Sequence, residues 1–167
     1  CNNPPAMSPL TTMLGTGIAT LMPNSELMTG RDPVHIFTHD VNGDSSDDVV
    51  VTNHQSSDVR IYLGTGEGGL VETALIPKGC PNCIEPYAAW AGDLDGDTLE
   101  DDLGVVAQTN QGYALVVLLS ATDDKPKAMQ VGPSLLSLVF ADLNEDGVDD
   151  IIYSDLDTTV NLLLSNP

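Results

Sequence analysis

Three acidic loops in this sequence carry oxygen-bearing side chains at a spacing that suits a hard cation. The loops begin at Asp40, Asp93 and Asp142, which are 53 and 49 residues apart, and each is followed by an aliphatic stretch. Within each loop, carboxylate or amide oxygens occupy positions 1, 3, 5 and 9. Ca²⁺ takes about six to eight oxygen ligands, many of them from Asp side chains. The chemistry that these residues predict is therefore calcium binding.

The charge of the chain is concentrated in the same loops. They hold 15 of the 25 Asp and Glu residues, and with only five Lys or Arg the formal net charge is −20. Without a cation, the carboxylates of each loop would repel one another, and three Ca²⁺ would supply six compensating charges. Nucleic acid and anionic membrane surfaces are excluded as partners, because both require a positive face.

The segments around the loops predict short β-strands in three similar units. The predicted strands are 34–39, 49–53, 59–63 and 70–76 in unit one, 87–91, 104–108, 113–119 and 128–131 in unit two, and 135–141, 151–154 and 159–164 in unit three. The runs 49–51 and 115–119 are apolar on both faces, so both faces must be covered. An all-β fold of four-stranded antiparallel blades, stacked face to face as in a β-propeller, meets that requirement.

These residues resemble the FG-GAP repeat, also called the VCBS-type repeat, of integrin α-subunit propellers and many bacterial surface proteins. The pattern Asp-x-Asn/Asp-x-Asp-x-x-x-Asp, followed by apolar residues, occurs three times in register. The resemblance implies up to three Ca²⁺, each held between the first two strands of a blade. The implied side-chain ligands are Asp40, Asn42, Asp44 and Asp48; Asp93, Asp95, Asp97 and Asp101; and Asp142, Asn144, Asp146 and Asp150. The implied carbonyl ligands, at position 7, are those of Ser46, Leu99 and Val148.

An EF-hand is the main rival for such loops. It needs a carboxylate at position 12 and a helix after the loop. Position 12 here is Val51, Gly104 or Tyr153, and predicted strands follow. The sequence therefore favours the propeller loop over the EF-hand.

Two departures from the repeat pattern concern the loops. Position 6 is expected to have a positive φ, and only loop three has glycine there, Gly147. We expect Ser45 and Thr98 to cost about 1–2 kcal/mol each in that conformation. In loop two, Asp102 stands where an apolar residue is expected. Either Asp101 is the ligand, or the loop is one residue longer and Asp102 binds the cation. Loop three thus fits the pattern best, then loop one, then loop two.

The three units give about three blades, with bounds near residues 30–79, 80–132 and 133–167. Closed propellers have about four to eight blades. Residues 11–29 match the end of a third strand and a fourth strand, which makes a partial blade. We expect an incomplete ring or part of a larger propeller. Residues 18–28, from the same chain or from a second copy, could supply the outer strand missing from unit three, and two copies would then form a homo-oligomer with six blades.

The cysteines indicate an extracytoplasmic protein. Cys1 at the start of the chain is typical of a bacterial lipoprotein, so we expect residues 1–10 to be a tether, with membrane attachment only through a lipid on Cys1. A fragment boundary that happens to fall at a cysteine is the alternative. Cys80 and Cys83 are expected to form a small disulfide rather than a zinc site or a redox dithiol, although free thiols remain an alternative. The expected location is the bacterial cell surface or the outer membrane.

No catalytic motif occurs in the sequence, so we expect a protein that is not an enzyme. His35, His39 and His54 are interpreted as polar filling between blades. The expected function is a calcium-binding scaffold or protein-interaction platform. A calcium-dependent adhesin or lectin is the alternative, although aromatic residues, at 4%, offer little platform for sugars. A further alternative is a non-catalytic part of a larger polysaccharide-processing enzyme.

Overall fold

The computed structural model describes residues 7–15, 21–76, 83–118, 127–132, 134–135, 137–155 and 159–165, and these residues form β-strands, turns and loops. The strands are β1 Pro9–Gly15, β2 Leu21–Met28, β3 Pro33–His39, β4 Asp48–Asn53, β5 Asp58–Gly64, β6 Leu70–Ile76, β7 Cys83–Gly92, β8 Asp102–Thr109, β9 Gly112–Leu118, β10 Lys127–Gly132, β11 Ser137–Ala141, β12 Asp150–Ser154 and β13 Val160–Leu163. Among the described residues, no helix has the length and apolar character needed to cross a membrane.

The strands pair antiparallel in four separate sheets. Blade one has the order β3-β4-β5-β6, blade two β7-β8-β9-β10, and blade three β11-β12-β13. The remaining sheet is the N-terminal hairpin, β1-β2. The all-β, antiparallel architecture predicted from the sequence is confirmed, and every predicted strand has a counterpart within a few residues.

The largest difference from the predicted strands lies in β7. This strand begins at Cys83 rather than at residue 87, and it contains register shifts between Cys83 and Glu85 and between Pro86 and Ala88. A proline lacks the N–H that donates in a strand ladder, and the register shift beside Pro86 accommodates it within β7.

Apolar side chains fill the spaces between neighbouring blades. Between blades one and two the buried core consists of Val41, Val50, Val59, Ile61, Ala89, Leu103, Val105 and Val116. Between blades two and three it consists of Val106, Leu115, Val131, Leu135 and Leu138. Successive residues of β8 and β9 thus face opposite neighbours, as Leu115 and Val116 do. Val50, Val51, Leu115 and Val116 are all buried, so these parts of the apolar runs are covered on both sides, as predicted.

The N-terminal hairpin packs on the face of blade one that points away from blade two. The Tyr62 hydroxyl and the Arg60 guanidinium both donate to the Met28 carbonyl oxygen, each at 3.1 Å. The two strands expected from residues 11–29 are present, but β1 already begins at Pro9, inside the segment expected to be a tether. In the described chain β2 pairs with β1 and not with blade three, so strand donation by a second copy stays a prediction. Cys1 and Cys80 lie outside the described residues.

Candidate metal centres

All three acidic loops connect the first two strands of a blade and end at the same place in the strand ladder. The last carboxylate of each loop pairs across the ladder with the last residue of the preceding strand: Asp48 with His39, Asp102 with Gly92, and Asp150 with Ala141. Asp102 is therefore the structural equivalent of Asp48 and Asp150. Of the two alternatives for loop two, the register favours the longer loop ending at Asp102 over a loop ending at Asp101.

The first Asp of each loop organises the turn by accepting hydrogen bonds from backbone N–H groups. Its Oδ2 atom accepts the N–H of position 6 in every loop, at 2.7 Å from Ser45, 2.9 Å from Thr98 and 2.9 Å from Gly147. The position 5 carboxylate accepts the N–H of position 7, which is Ser46, Leu99 or Val148, at 2.9–3.0 Å. All residues predicted as ligands, except Asp101, thus lie at matching loop positions.

Two residues of each loop, at positions 4 and 6, adopt the left-handed conformation. At position 6 the φ angles of Ser45, Thr98 and Gly147 are 69°, 74° and 87°, which confirms the expected positive φ. At position 4, Gly43, Gly96 and Glu145 have φ angles of 73°, 81° and 61°, a feature that the sequence reasoning missed. Each loop therefore has one glycine and one non-glycine residue at these positions, so loop three has no backbone advantage over the others.

The last carboxylate of each loop is buried and ties the loop to the blade. Asp48, Asp102 and Asp150 are 0%, 2% and 0% exposed. In each of them Oδ2 accepts the N–H of position 2, at 3.1, 2.7 and 3.1 Å. The other oxygen of Asp48 accepts the Gly64 N–H at 2.8 Å. These bonds hold both oxygens of the Asp48 carboxylate in place.

Equivalent burial does not give equivalent acidity. Burial raises the pKa of Asp48, and the charges of Asp44 and Asp40 add to this rise against its backbone hydrogen bonds. Burial also acts to raise the pKa of Asp150, but hydrogen bonds lower it overall. The reason is Ser165, which the sequence reasoning missed: its N–H and its hydroxyl both donate to Asp150 Oδ1, at 2.7 and 3.0 Å.

Loop two has the carboxylates that converge most closely. Oxygen atoms of Asp93, Asp95 and Asp102 lie within 4.8 Å of one another. Loops one and three have an asparagine at position 3, and its amide nitrogen donates to the position 5 carboxylate, at 3.1 Å for Asn42 and 2.8 Å for Asn144. Such close carboxylate oxygens are the donor set that a hard cation such as Ca²⁺ requires. The residues present therefore fit the cation, and loop two, the weakest match by sequence pattern, offers the most negative site.

Neighbouring loops also contact each other. The carboxylate of Asp149, next to the buried Asp150, accepts the Asp93 N–H at 3.2 Å, and the Asp149 N–H donates to the Asp93 carbonyl oxygen at 2.7 Å. Burial raises the pKa of Asp149, despite the hydrogen bond from Asp93, and nearby carboxylates including Glu100 add to the rise. Between loops one and two, His39 Nε2 lies 3.4 Å from a carboxylate oxygen of Glu100. The only sequence signal for Asp149 was an Asp-Asp pair at the end of the loop, which each loop has.

The other two histidines also lie between blades one and two. His35 stacks near Trp90, with ring centroids 5.4 Å apart. His54 lies between two carboxylates, with Nδ1 3.3 Å from Asp32 and Nε2 3.1 Å from Glu85. These contacts confirm that the histidines fill space between blades.

The comparison with protein families agrees with this geometry. A family model described as FG-GAP-like repeat matches residues 40–103, which run from the first residue of loop one to the start of β8. No curated protein and no solved structure matched the chain. The matched segment includes two of the three loops and joins blade one to blade two, and blade three repeats the same loop and ladder. Residues 40–103 therefore carry an FG-GAP-like repeat.

Proposed function

We propose that this protein is a calcium-binding, extracytoplasmic β-propeller module that acts as a scaffold or protein-interaction platform. The observation that carries the proposal is the convergence of Asp93, Asp95 and Asp102 within 4.8 Å in loop two. The same ladder position and the same backbone hydrogen bonds recur in loops one and three. Up to three Ca²⁺ would bind, one in each loop, and none would take part in a reaction.

The role of the cation would be to stabilise the fold. A cation that binds only the folded chain adds its binding free energy to the free energy of unfolding. Each loop joins the first two strands of a blade, so an ion there would relieve repulsion at the point where those strands meet. The proposed role of the cation is therefore that of an ionic cross-link between the two strands.

A thermal melt with increasing Ca²⁺, followed by excess chelator, tests the proposal. At a free Ca²⁺ concentration of about 100 times Kd, one site adds about 2.7 kcal/mol, which corresponds to a Tm increase of roughly 5–10 °C for a chain of this size. Isothermal titration calorimetry should count up to three sites. A Tm that does not respond to Ca²⁺ or to chelator would mean that the loops are polar turns without metal.

A matched pair of variants separates the loops from the general negative charge. Asp95→Ala removes one oxygen ligand from the converging group in loop two, and Glu67→Ala removes a carboxylate from an exposed position outside the loops. We expect Asp95→Ala to lose one calorimetric site or to weaken it at least tenfold, and Glu67→Ala to leave all sites unchanged. Equal effects of the two variants would indicate nonspecific screening of charge by Ca²⁺.

An extracytoplasmic location suits such loops, because extracellular modules bind Ca²⁺ with Kd values of about 10⁻⁴–10⁻³ M. Attachment through a lipid on Cys1 stays a prediction. Fractionation of cells that produce the protein, with Cys1→Ser as the comparison, tests both points. Release of the Cys1→Ser protein from the membrane fraction supports a lipid anchor, and retention of that variant contradicts it.

A calcium-dependent adhesin is the second candidate, and one feature favours a protein ligand over a glycan. A groove of about 440 Å³ lies beside β3, lined by Leu10, Pro33, Val34 and Ile36 among others. Apolar walls of this kind suit protein side chains better than sugar hydroxyls. Binding of a glycan array in Ca²⁺, abolished by chelator, would instead favour the lectin. A larger polysaccharide-processing enzyme containing this module is the remaining candidate, and the full gene sequence decides it.

A further inference from the structure

Asp149 makes a two-bond bridge from blade three to the first residue of loop two. Its N–H donates to the Asp93 carbonyl oxygen at 2.7 Å, and its carboxylate accepts the Asp93 N–H at 3.2 Å. Both polar groups of the Asp93 backbone are thus held by one residue of the neighbouring blade. Asp93 is also the residue whose side chain accepts the N–H groups of Gly96 and Thr98, so its backbone position sets the whole turn.

The residue that precedes Asp93 in the chain, Gly92, leaves room for the Asp149 carboxylate. A Cβ atom on Gly92 would overlap the Asp149 carboxylate. Gly92 is an ordinary strand residue with no positive φ, so close approach by Asp149 explains the absence of a side chain there better than backbone conformation does.

The bridge also leads directly into loop three. Asp150, the next residue, is the buried carboxylate that accepts the Leu143 N–H and the Ser165 N–H. A cation in loop three would draw Asp142, Asp146 and Asp150 together, and this would fix the residue beside them. Asp149 would then hold Asp93 in the position that loop two needs for its own cation.

We propose that Asp149 is a positioning residue that couples cation binding in loop three to cation binding in loop two. The proposal rests on the calcium binding proposed above. Because coupling between sites is reciprocal, a cation in loop two would strengthen binding in loop three by the same factor. Asp149 contacts the backbone of Asp93 and is not counted among the ligands.

The equivalent residue of loop one provides a contrast. Asp47 also precedes the buried last carboxylate of its loop, but it is exposed. The contact between loops one and two runs instead through the side chains of His39 and Glu100. The backbone bridge of Asp149 thus lies at the junction of blades two and three.

Calcium titration of a simplified protein measures the coupling. Asp40→Ala with Asp44→Ala removes the proposed cation site of loop one, so that only loops two and three bind Ca²⁺. Adding Asp142→Ala and Asp146→Ala leaves loop two alone, and Asp93→Ala with Asp95→Ala leaves loop three alone. The coupling factor is the overall constant for binding two Ca²⁺ divided by the product of the two single-site constants. We expect a factor of about 5 or more in the simplified protein.

Substitutions of Asp149 then show whether the bridge carries that factor. Asp149→Ala removes the carboxylate bond of the bridge and leaves the backbone bond, so it should reduce the factor at least twofold. Asp149→Asn should keep most of it, because the amide oxygen still accepts the Asp93 N–H. Asp47→Ala, which removes the equivalent carboxylate of loop one, should leave the coupling factor unchanged.

Melts in chelator measure loss of stability separately, since a purely structural role would lower Tm without changing the coupling factor. If Asp149→Ala does not fold, Gly92→Ala takes its place in the test, because the added Cβ displaces the Asp149 carboxylate.

Each result decides the inference. A factor of about 1 in the simplified protein, an unchanged factor in Asp149→Ala, or an equal loss in Asp149→Ala and Asp149→Asn would each overturn it while leaving calcium binding intact. Absence of Ca²⁺ binding in every protein would overturn the proposed function, and the coupling with it.

Discussion

The left-handed residues of the acidic loops show how a repeated backbone tolerates different sequences. Positions 4 and 6 of all three loops have positive φ, but the glycine is at position 4 in loops one and two and at position 6 in loop three. A non-glycine residue in this region costs about 1–2 kcal/mol. The sequence reasoning identified only position 6 and did not consider the residue at position 4. Each loop in fact carries one strained residue, and binding of a cation is one way to offset that cost.

The strain should be largest at Thr98, whose branched Cβ suits a φ of 74° poorly. We expect Thr98→Gly to stabilise the protein by about 1 kcal/mol, because the relief of strain exceeds the added freedom of the unfolded chain. A Tm increase of roughly 2–4 °C in chelator would measure it. Gly147→Ala, the reverse change at the same loop position, should lower Tm. A lower Tm for Thr98→Gly would show that its side chain contributes more than its backbone costs.

The half-buried His35 gives a pH dependence that can be separated from that of the carboxylates. Burial lowers the pKa of His35, and its Nδ1 atom finds no hydrogen-bond partner among the described residues. Phe37 and Trp90 face the ring. Below the unfolded-state pKa of about 6.5, the unfolded chain binds a proton that the folded chain resists, so folding stability falls as pH falls.

We therefore expect His35→Phe to remove this part of the acid sensitivity. At pH 7 the variant should be at least as stable as the original protein, because it removes an unpaired buried nitrogen. Between pH 7 and pH 5 the Tm of the original protein should fall faster than that of His35→Phe, both measured in saturating Ca²⁺. Parallel pH profiles for the two proteins would contradict a role for His35.

At the scale of the strands, the sequence predicted well which strands form, but it predicted their pairing register only in part. Alternating and continuous apolar runs identified the strands of all three blades, because blade packing requires those residues. The extra residue of loop two could not be placed, since Asp101 and Asp102 are chemically identical. Pairing of Gly92 with Asp102 decided the question, and pairing depends on the whole ladder. The Asp149 bridge was invisible for the same reason, because it joins two blades through residues 56 positions apart.

That register gives a direct prediction for loop two. Asp102 is 2% exposed and accepts the Leu94 N–H at 2.7 Å, whereas Asp101 is only partly buried. We expect Asp102→Asn to weaken the loop two site at least tenfold, and Asp101→Asn to change its Kd less than threefold. Calcium titration of the two variants makes the comparison. A stronger effect of Asp101→Asn would restore the shorter loop that the repeat pattern suggested.

At the scale of the whole molecule, each blade depends on its neighbours for a core. A Cβ on Gly104 of blade two would overlap the Phe140 ring of blade three. We expect Gly104→Ala to destabilise the protein by about 1–3 kcal/mol through overpacking. Adding Phe140→Leu should recover part of that loss, because the two changes act on one contact. Gly15→Ala, which meets open space, is the control. Chemical denaturation of Gly104→Ala, Phe140→Leu, the double variant and Gly15→Ala makes the comparison, and additive losses would contradict direct contact.

The far face of blade three exposes a surface of the kind that is buried inside the stack, and the opposite face of blade one is covered only in part, by the N-terminal hairpin. Ile36, Ala89 and Leu138 occupy the same ladder position in blades one, two and three. Ala89 and Leu138 are 0% and 1% exposed, whereas Ile36 is 54% exposed. The opposite faces show the same contrast, because Phe37 and Trp90 pack in the cores but Val139 is 47% exposed.

This equivalence leads us to expect that the two end faces meet between copies, since each has the chemistry of an internal blade face. The chain should then self-associate in a concentration-dependent way, as sedimentation equilibrium in Ca²⁺ would show. Ile36→Lys or Val139→Lys should each shift the equilibrium towards the monomer by tenfold or more, because a buried unpaired charge is costly. Val71→Lys changes an equally exposed apolar residue on the outer strand β6 and should have little effect. A chain that stays monomeric at every concentration would contradict this association.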